Sequence, residues 1–525
     1  MKKKIFALLL AVLMLVPFVV ACGGDTNTDT GSGNQTTDTS GSTDNTNTDK
    51  PVVEKVDTKT DKSQKWAGKT LDCVAESWGG GEPAAWDQPE LYVKGSDQAG
   101  NLGKKVNDAV WARQGQIEKI YGVTMVWHKA MAPYSMQNEL QTGLEAGAAK
   151  YHIATPRGYE MQSLIAADTV YDLANRKYID LEKDYYNQAA VDSLTVYGHT
   201  FFVAGDFSYL DEYTSYVVFY NQYLSKDIQA FGNLYKMVED GKWTISQLEK
   251  KAKLVGNDSD GTPGYTDADT YGFATNGMSG FFQSSGIKQV SVDKSSNDPS
   301  QYNYHITLND TTKVPVLVTA LVNIKSSTWA RIGFSGGYGA MLDAFHDGRI
   351  LFYDEVVQKI FEFKAQSENF MVAVLPMPKL NEEQESYYTP FAAQSTVMCM
   401  PKATVDEEMS EYFFDVLSWT GKEFVMRAFY QEMESRLYDD GKTSRKDALN
   451  ILQNYVLNNL IFDPGYISTG MTGQFLTHVQ SDTIDQATPD TSPFTNLYTE
   501  AFNDANTKLN DPKTGWNTYA KNYKD

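Results

Sequence analysis

The chain has few of the residues that build disulfide frameworks, zinc sites or basic surfaces. Three cysteines and six histidines occur among 525 residues, with no CxxC pair and no HExxH motif that could hold zinc. Lysine and arginine number 46 against 67 aspartates and glutamates, so the formal net charge is −21. Because nucleic acids are bound through basic surfaces, we expect no nucleic-acid partner. We also expect no metal and no cofactor.

The longest apolar run stands at the amino terminus. Three lysines in Met1–Lys4 precede the uncharged segment Ile5–Ala21, which is typical of a secretory signal peptide. Its end resembles the bacterial lipobox, in which cleavage leaves Cys22 as the lipidated first residue; an ordinary cleaved signal with a chance cysteine is the alternative. We therefore expect residues 1–21 to be a lipoprotein signal peptide. The lipid on Cys22 would anchor the protein to the extracytoplasmic face of the cell membrane.

Residues 22–65 are expected to form a disordered polar tether. From Gly23 to the first apolar residue, Val52, the tract consists almost entirely of Thr, Asp, Ser, Gly and Asn. Such a composition cannot bury enough apolar surface to fold.

From Trp66 onward the sequence alternates between strand and helix patterns. Apolar or β-branched runs predict strands, and apolar residues at helical spacing predict helices. The predicted strands include 70–75, 123–127, 151–154, 214–220, 370–375 and 395–400. Thr244 with Gln247, and Thr404 with Glu407, are predicted to cap helices. This alternation predicts an α/β body with a largely parallel sheet.

Seven segments of the body, in chain order, resemble the extracellular solute-binding proteins of ABC importers, the family that includes maltose-binding protein. The likeness runs from about Leu71 to Trp419. The segments are Ile117–Val123, Val170–Leu173, Tyr197–Val203, Tyr216–Asn221, Leu234–Thr244, Phe345–Phe352 and Val374–Lys379, the last followed by the strand at Ser395–Pro401.

The resemblance implies a two-lobed periplasmic-binding-protein-like α/β fold, with crossing hinge strands and a ligand cleft between the lobes. By analogy the chain would cross near Glu212–Tyr216, Phe352–Glu355 and Ala393–Val397. The first lobe would then comprise residues 66–213 plus 355–394. The second would comprise residues 216–352 plus 397–525. Rotation about a few crossing residues would close the cleft on a ligand.

The loop after the first strand is the leading candidate for ligand contact, because ligands of α/β folds sit beyond the carboxyl ends of strands. In it, Trp78 could stack on a sugar face while Glu76 and Glu82 accept from hydroxyls; the alternative is a packed Trp with solvated carboxylates. The analogous second loop carries Arg157 and Tyr159. For Arg157, a surface salt bridge is the alternative to ligand binding.

Further candidates follow from the family analogy alone. Ser208 and Glu212 precede the first expected crossing, and the second lobe would contribute Phe282, Gln283, Tyr353 and Asp354. Core packing is the alternative for the aromatic residues among them.

Two patterns imitate other chemistry, and two cysteines leave a possible pairing open. Ser335 lies in a G-x-S-x-G sequence, with Asp463 and His478 following in hydrolase order, but a glycine-rich loop is the plainer interpretation. Asp258, Asp260 and Asp267 resemble a calcium loop whose first ligand position is lost, so a turn is favoured and calcium stays open. Cys73 and Cys399 are expected to be buried thiols, or a disulfide if their strands are neighbours.

The resemblance therefore implies a membrane-anchored extracellular solute-binding protein that captures a small solute for ABC permease subunits and performs no chemistry. A carbohydrate is the expected ligand, since the likeness is to sugar binders and aromatic residues make up 13% of the chain. A monomer is expected. The alternatives are a secreted lipoprotein hydrolase, such as a glycosidase with two cleft carboxylates, and a receptor without a transport partner.

Overall fold

The computed structural model describes residues 53–76, 91–93, 103–130, 135–262, 265–278, 280–296, 298, 301–307, 312–363, 370–392, 395–437, 445–468, 503, 505–512 and 515–523. The strands are β1 (Thr70–Glu76), β2 (Thr124–Ala130), β3 (Ile153–Thr155), β4 (Thr195–Val196), β5 (His199–Thr200), β6 (Tyr216–Asn221), β7 (Tyr271–Thr275), β8 (Val290–Asp293), β9 (Asn303–Ile306), β10 (Ala330–Ile332), β11 (Ile350–Val356), β12 (Val372–Pro376), β13 (Thr389–Pro390) and β14 (Leu460–Ile461).

The α-helices alternate with these strands along much of the chain. They are α1 (Thr58–Asp61), α2 (Lys104–Tyr121), α3 (Met136–Glu145), α4 (Met161–Ala166), α5 (Gln188–Leu194), α6 (Leu210–Tyr213), α7 (Leu234–Glu239), α8 (Ile245–Ala252), α9 (Gly280–Ser284), α10 (Lys313–Lys325), α11 (Gly337–His346), α12 (Glu407–Thr420), α13 (Arg427–Arg436), α14 (Arg445–Tyr455), α15 (Gly465–Ser468) and α16 (Trp516–Asn522). A π-helical turn, Gly421–Met426, joins α12 to α13.

Two sheets organise the body. The first has the order β2-β1-β3 with parallel strands, and the extended segment 395–401 continues it through antiparallel bridges from Cys399 to Ala154 and from Met398 to Val203. The second has the order β10-β7-β11-β6-β12, in which only β6 runs antiparallel to its neighbours. The prediction of a largely parallel α/β arrangement is confirmed.

Local signals positioned several elements as predicted. Helix α2 buries Val106, Val110 and Ile117 on one face and ends at Gly122, whose φ of +69° favours glycine. Helix α8 begins after Thr244, whose hydroxyl accepts a hydrogen bond from the backbone N–H of Gln247 at 3.3 Å. The cap predicted at Thr404 is wrong. The cap is Asp406, whose carboxylate accepts from the backbone N–H of Met409.

The tether predicted for residues 22–65 ends earlier than expected, because residues 53–65 pack on the body. The backbone N–H of Val56 donates to the carbonyl of Lys177 at 2.9 Å. Thr58 is fully buried, and its hydroxyl donates to the carboxylate of Asp415 in α12 at 2.6 Å. A polar composition did not prevent docking here, since the partners on α12 satisfy the polar groups.

Strand pairing also corrects the lobe boundaries. Strand β12, expected in the first lobe with 355–394, pairs with β6 in the second sheet, and β11 lies inside that sheet, so the chain does not cross near Phe352–Glu355. Segment 395–401 and helix α12, expected in the second lobe, belong with the first sheet and its hydrophobic core. The chain passes from the first sheet to the second between Gly205 and β6, and returns between β12 and Ser395.

The two buried cysteines are free thiols. Strand β3 lies between them, since Cys73 pairs in register with Ile153 on one side of β3 and Cys399 bridges to Ala154 on the other. Their strands are therefore not neighbours, and the disulfide alternative is wrong.

The described residues include no helix that is both long enough and apolar enough to traverse a lipid bilayer.

Candidate functional site

The carboxyl ends of β1 and β3 bring three predicted site residues together. Glu76, the last residue of β1, is fully buried. One of its carboxylate oxygens accepts the backbone N–H of Arg157 at 2.9 Å, and the other accepts the hydroxyl of Tyr159 at 2.5 Å. Adjacent parallel strands end at one edge of the sheet, which is why loops 81 residues apart in sequence meet here.

Arg157 is a buried residue rather than a surface one. It is 5% exposed, and its Nη1 donates to the hydroxyl of Thr396 at 3.2 Å. Thr396 belongs to the segment that re-enters the first sheet, so Arg157 links β3 to the returning chain.

Glu160 adds a second buried carboxyl to this edge. Both of its oxygens accept the backbone N–H of Met136, at 3.2 and 3.1 Å. Burial, followed by the charge of Glu76, raises the pKa of Glu160 to about 8. At neutral pH the Glu160 carboxyl is therefore mostly protonated and can donate a hydrogen bond, while the Glu76 oxygens accept hydrogen bonds.

The raised pKa of Glu160 predicts a pH-dependent stability. Its pKa in the folded state lies above the value of about 4.3 for an unfolded chain, so the free energy of unfolding should fall as pH rises from about 4.5 to about 8. In E160Q this loss should be absent. The free energy of unfolding of E160Q relative to wild type should therefore rise by about 1 kcal/mol from pH 4.5 to pH 8, a value reduced for solvent screening. Urea denaturation at several pH values measures it. E145Q, at an exposed position, is the control. If the free energy of unfolding depended on pH in the same way for E160Q and wild type, the prediction would be contradicted.

The second sheet presents a comparable edge. Asp354 of β11 is in register with Thr275, the last residue of β7, and the Thr275 hydroxyl donates to its Oδ2 at 3.3 Å. Burial, then the charge of Glu355, raises the pKa of Asp354 well above its ordinary value. Among the described residues, Oδ1 of Asp354 and the side-chain nitrogen of Gln283 have no hydrogen-bond partner. Both side chains could therefore bond to a ligand.

The aromatic candidates of the second sheet lie in the hydrophobic core. Tyr353 is fully buried, and its ring packs at 6.3 Å from that of Phe219 and 5.3 Å from that of Phe345. Phe282 on α9 is 1% exposed and belongs to the core cluster. Successive side chains of a strand point to opposite faces, so Tyr353 cannot share the surroundings of Asp354.

Ser208 and Glu212 lie on the connection between the two sheets. The Ser208 hydroxyl accepts a hydrogen bond at 3.1 Å from the backbone N–H of Leu210, the first residue of α6. Glu212 lines a cavity of about 1060 Å³ together with Asp206 and Asp211. Asp211 was missed as a candidate. The signal available in the sequence was three acidic residues within the seven positions 206–212, whose other members are Ser208 and three aromatic or apolar residues.

The residues of the G-x-S-x-G pattern make hydrogen bonds within the protein that do not assemble a catalytic triad. Asp463 accepts the backbone N–H groups of Gln289, Val290 and Gly465. The backbone N–H of Ser335 donates to Asp267 at 2.8 Å, which does not place the serine beside Asp463.

The acidic loop is assembled differently from the predicted calcium pattern. Asp258, Asp260 and Asp269 bring carboxylate oxygens within 4.8 Å of one another, whereas Asp267 pairs with Arg331 at 2.8 Å. Asp269 accepts backbone N–H groups of its own loop. The inclusion of Asp267 in this group was wrong.

Three predicted residues, Cys22, Trp78 and Glu82, lie outside the described part of the chain, as does His478.

Comparison with known proteins defines the fold. No protein-family model matches the chain, and no curated protein is similar to it in sequence. Solved structures do match. The galacto-N-biose-/lacto-N-biose I-binding protein of an ABC transporter from Bifidobacterium longum, in complex with lacto-N-biose, superposes with a TM-score of 0.51 at 12% identity, over 84% of this chain and 98% of its own.

Two further structures give similar values. A cyclo/maltodextrin-binding protein complexed with maltotetraose has a TM-score of 0.50 at 14% identity, over 85% of this chain and 99% of its own. UspC of M. tuberculosis has a TM-score of 0.50 at 12% identity, over 83% of this chain and 100% of its own. The chain therefore has the two-lobed periplasmic-binding-protein-like α/β fold.

Proposed function

We propose that this protein captures a carbohydrate outside the cell and delivers it to the permease subunits of an ABC importer, without performing chemistry. The observation that carries the proposal is the pair of polar edges, one at the carboxyl ends of each sheet, on a fold shared with proteins solved in complex with lacto-N-biose and maltotetraose. Carbohydrate hydroxyls both donate and accept, and the edges supply both kinds of partner.

Each edge has a distinct part in the proposed binding. In this proposal Glu76 accepts from sugar hydroxyls, while the carboxyl of Asp354, whose pKa is raised by burial, and the amide of Gln283 bond to other hydroxyls of the ligand. A ligand that contacts both edges binds the closed arrangement more tightly than the open one and so shifts the equilibrium towards closure. The serine-hydrolase pattern gains no support from the described contacts, because Asp463 accepts backbone N–H groups and the backbone of Ser335 bonds to Asp267.

Titration calorimetry of the mature chain with maltotetraose and lacto-N-biose tests the proposal, alongside mass spectrometry of any molecule that co-purifies. We expect saturable binding of an oligosaccharide and a smaller radius of gyration in X-ray scattering when it is bound. Binding without any change in the radius of gyration would contradict the closure mechanism. Hydrolysis of the bound sugar would contradict the transport assignment.

We further propose that the protein is a monomer held at the membrane by a lipid on Cys22. Cys22→Ser should release the protein into the medium or leave its signal peptide uncleaved, because the thiol is the site of lipid attachment. Membrane fractionation and the intact mass check this. Cys73→Ser, which alters a buried thiol, is the control and should remain membrane-bound. An unchanged mass and distribution for Cys22→Ser would contradict the anchor.

A further inference from the structure

The cavity beside Glu212 is separate from the two polar edges. Its volume is about 1060 Å³, and none of Glu76, Arg157 or Asp354 lines it. Its walls come from residues 183–189, from the connection between the sheets, from the α12–α13 junction and from residues 457–460. A cavity of this size can hold a small organic molecule.

The inner wall carries acidic groups with few hydrogen-bond donors. Asp211 is 2% exposed and Glu212 is 7% exposed. Neither oxygen of Asp211, nor Oε2 of Glu212, accepts a hydrogen bond of normal geometry from the described residues. Asp211 lies beside the Asn187 amide and the Glu212 carboxyl, and Glu212 lies beside the Tyr430 hydroxyl. Buried polar atoms without partners are costly, and a ligand that supplies donors removes that cost.

Three of the four basic residues that line the cavity are engaged in ion pairs, and the fourth is Arg427. Lys422 pairs with Asp184 at 2.7 Å, Lys59 pairs with Glu423, and Lys183 lies 3.7 Å from Asp180. In the part of the chain that the structure describes, no ion pair joins a base to Asp206, Asp211 or Glu212. The charge of Lys422 acts on Asp206 without a direct ion pair, so an occupant could supply the ion pair that these carboxyl groups lack.

We propose that this cavity is a second binding site, which takes a small organic amine in its protonated form. An ammonium group supplies a positive charge to the three carboxyl groups and hydrogen-bond donors to the oxygens of Asp211 and Glu212 that have no partner of normal geometry. Trp419 and Tyr430 also line the cavity, and aromatic faces attract cations. A directly coordinated metal ion fits less well, since the carboxylates of Asp258, Asp260 and Asp269 are the set that converges within 4.8 Å among the described residues.

The raised pKa values of these carboxyl groups support the proposal. Burial is the first cause that raises the pKa of Asp206 to about 7, and it raises those of Asp211 and Glu212 above their ordinary values. The groups that face these carboxyls are the Tyr430 hydroxyl, the Asn187 amide, and the Lys422–Asp184 pair, with Lys183 and Arg427 also lining the cavity. An arriving ammonium would favour ionised carboxylates, so binding should release protons and strengthen as pH rises from 6 towards 8.5.

Calorimetry of the mature chain with 1,4-diaminobutane, ethanolamine and glucosamine tests the proposal, with 1,4-butanediol as the uncharged analogue of the diamine. We expect one amine to bind per chain, the diol not to compete, and the amine to release protons in buffers of different ionisation enthalpy. D211N and E212Q should each weaken binding at least about tenfold, the scale of losing one charged hydrogen bond. D227N, at an exposed position, should bind like wild type.

Three results would overturn the assignment. They are failure of all three amines to bind at about 10 mM (affinity weaker than roughly 3 kcal/mol), equal affinity for wild type and folded D211N, and saturation of the cavity by Ca²⁺ or Mg²⁺ in place of amines. If D211N does not fold, as judged by its thermal transition, proton release from wild type decides. An amine that binds with no proton release and no pH dependence would not be neutralising these carboxyls, and the proposal would fall.

Discussion

Replacing Trp78 with alanine is expected to weaken oligosaccharide binding by about 1–3 kcal/mol, roughly a 5- to 150-fold rise in Kd, with little change in the free energy of unfolding. The residue follows Glu76 by two positions, just beyond the carboxyl end of β1, and three glycines follow it. An indole there offers a flat apolar face for a sugar ring and one N–H donor.

The control for Trp78→Ala is Trp111→Ala. Trp111 is 43% exposed on α2, so its removal takes away an indole of equal size from a surface that is not at the strand ends. Calorimetry with the oligosaccharide that binds wild type compares the two variants. Wild-type affinity in Trp78→Ala would mean that this indole only packs against the protein, and Trp78 would be withdrawn from the site.

Replacing Asp415 with alanine is expected to lower the free energy of unfolding by about 3–4 kcal/mol, because it leaves several buried hydroxyls without an acceptor. The Asp415 carboxylate accepts from the hydroxyls of Thr58 at 2.6 Å, Tyr185 at 2.8 Å and Tyr186 at 2.9 Å. Through Thr58 it also holds the amino-terminal segment on α12. Hydrogen exchange in residues 53–61 should therefore accelerate in this variant.

Asp415→Asn separates charge from hydrogen bonding. Burial raises the pKa of Asp415, so loss of the negative charge costs little, and the amide oxygen still accepts from two of the hydroxyls. This variant should lose less stability than Asp415→Ala. Asp227→Ala, at an exposed position, is the surface control and should unfold like wild type. Equal stability of Asp415→Ala and Asp227→Ala in urea denaturation would contradict the role of the hydroxyl cluster.

Elements with strong local signals were predictable. The run that became β1 is apolar and bounded by glycines, and the helical spacing of Val106, Val110 and Ile117 predicted α2. The end of the polar tether was not predictable, because residues 53–65 are held by contacts to residues more than a hundred positions away. Helix caps were partly predictable: Thr244 was correct, but near residue 406 two alternative caps lie within three positions of each other.

The candidate site, like the fold, was predictable only in part. Glu76, Arg157 and Tyr159 were predicted from their positions after strands, and they do meet. The raised pKa of Glu160 could not be predicted, because it depends on the burial of Glu160 itself and then on the charge of Glu76, which comes from a different loop. Asp211 was missed for a related reason, since an acidic residue on an undefined connection looks solvated until the cavity around it is known.

The amino-acid sequence by itself determined the α/β class and the strand-end loops that carry polar residues, because both depend on patterns within a few neighbouring positions. Only the tertiary structure decided which strands share a sheet. Residues 372–376 and 395–401 look alike as short apolar runs, yet one pairs with β6 and the other with β3. Sheet order depends on contacts between segments far apart in the chain, and a one-dimensional pattern of apolar residues does not specify them.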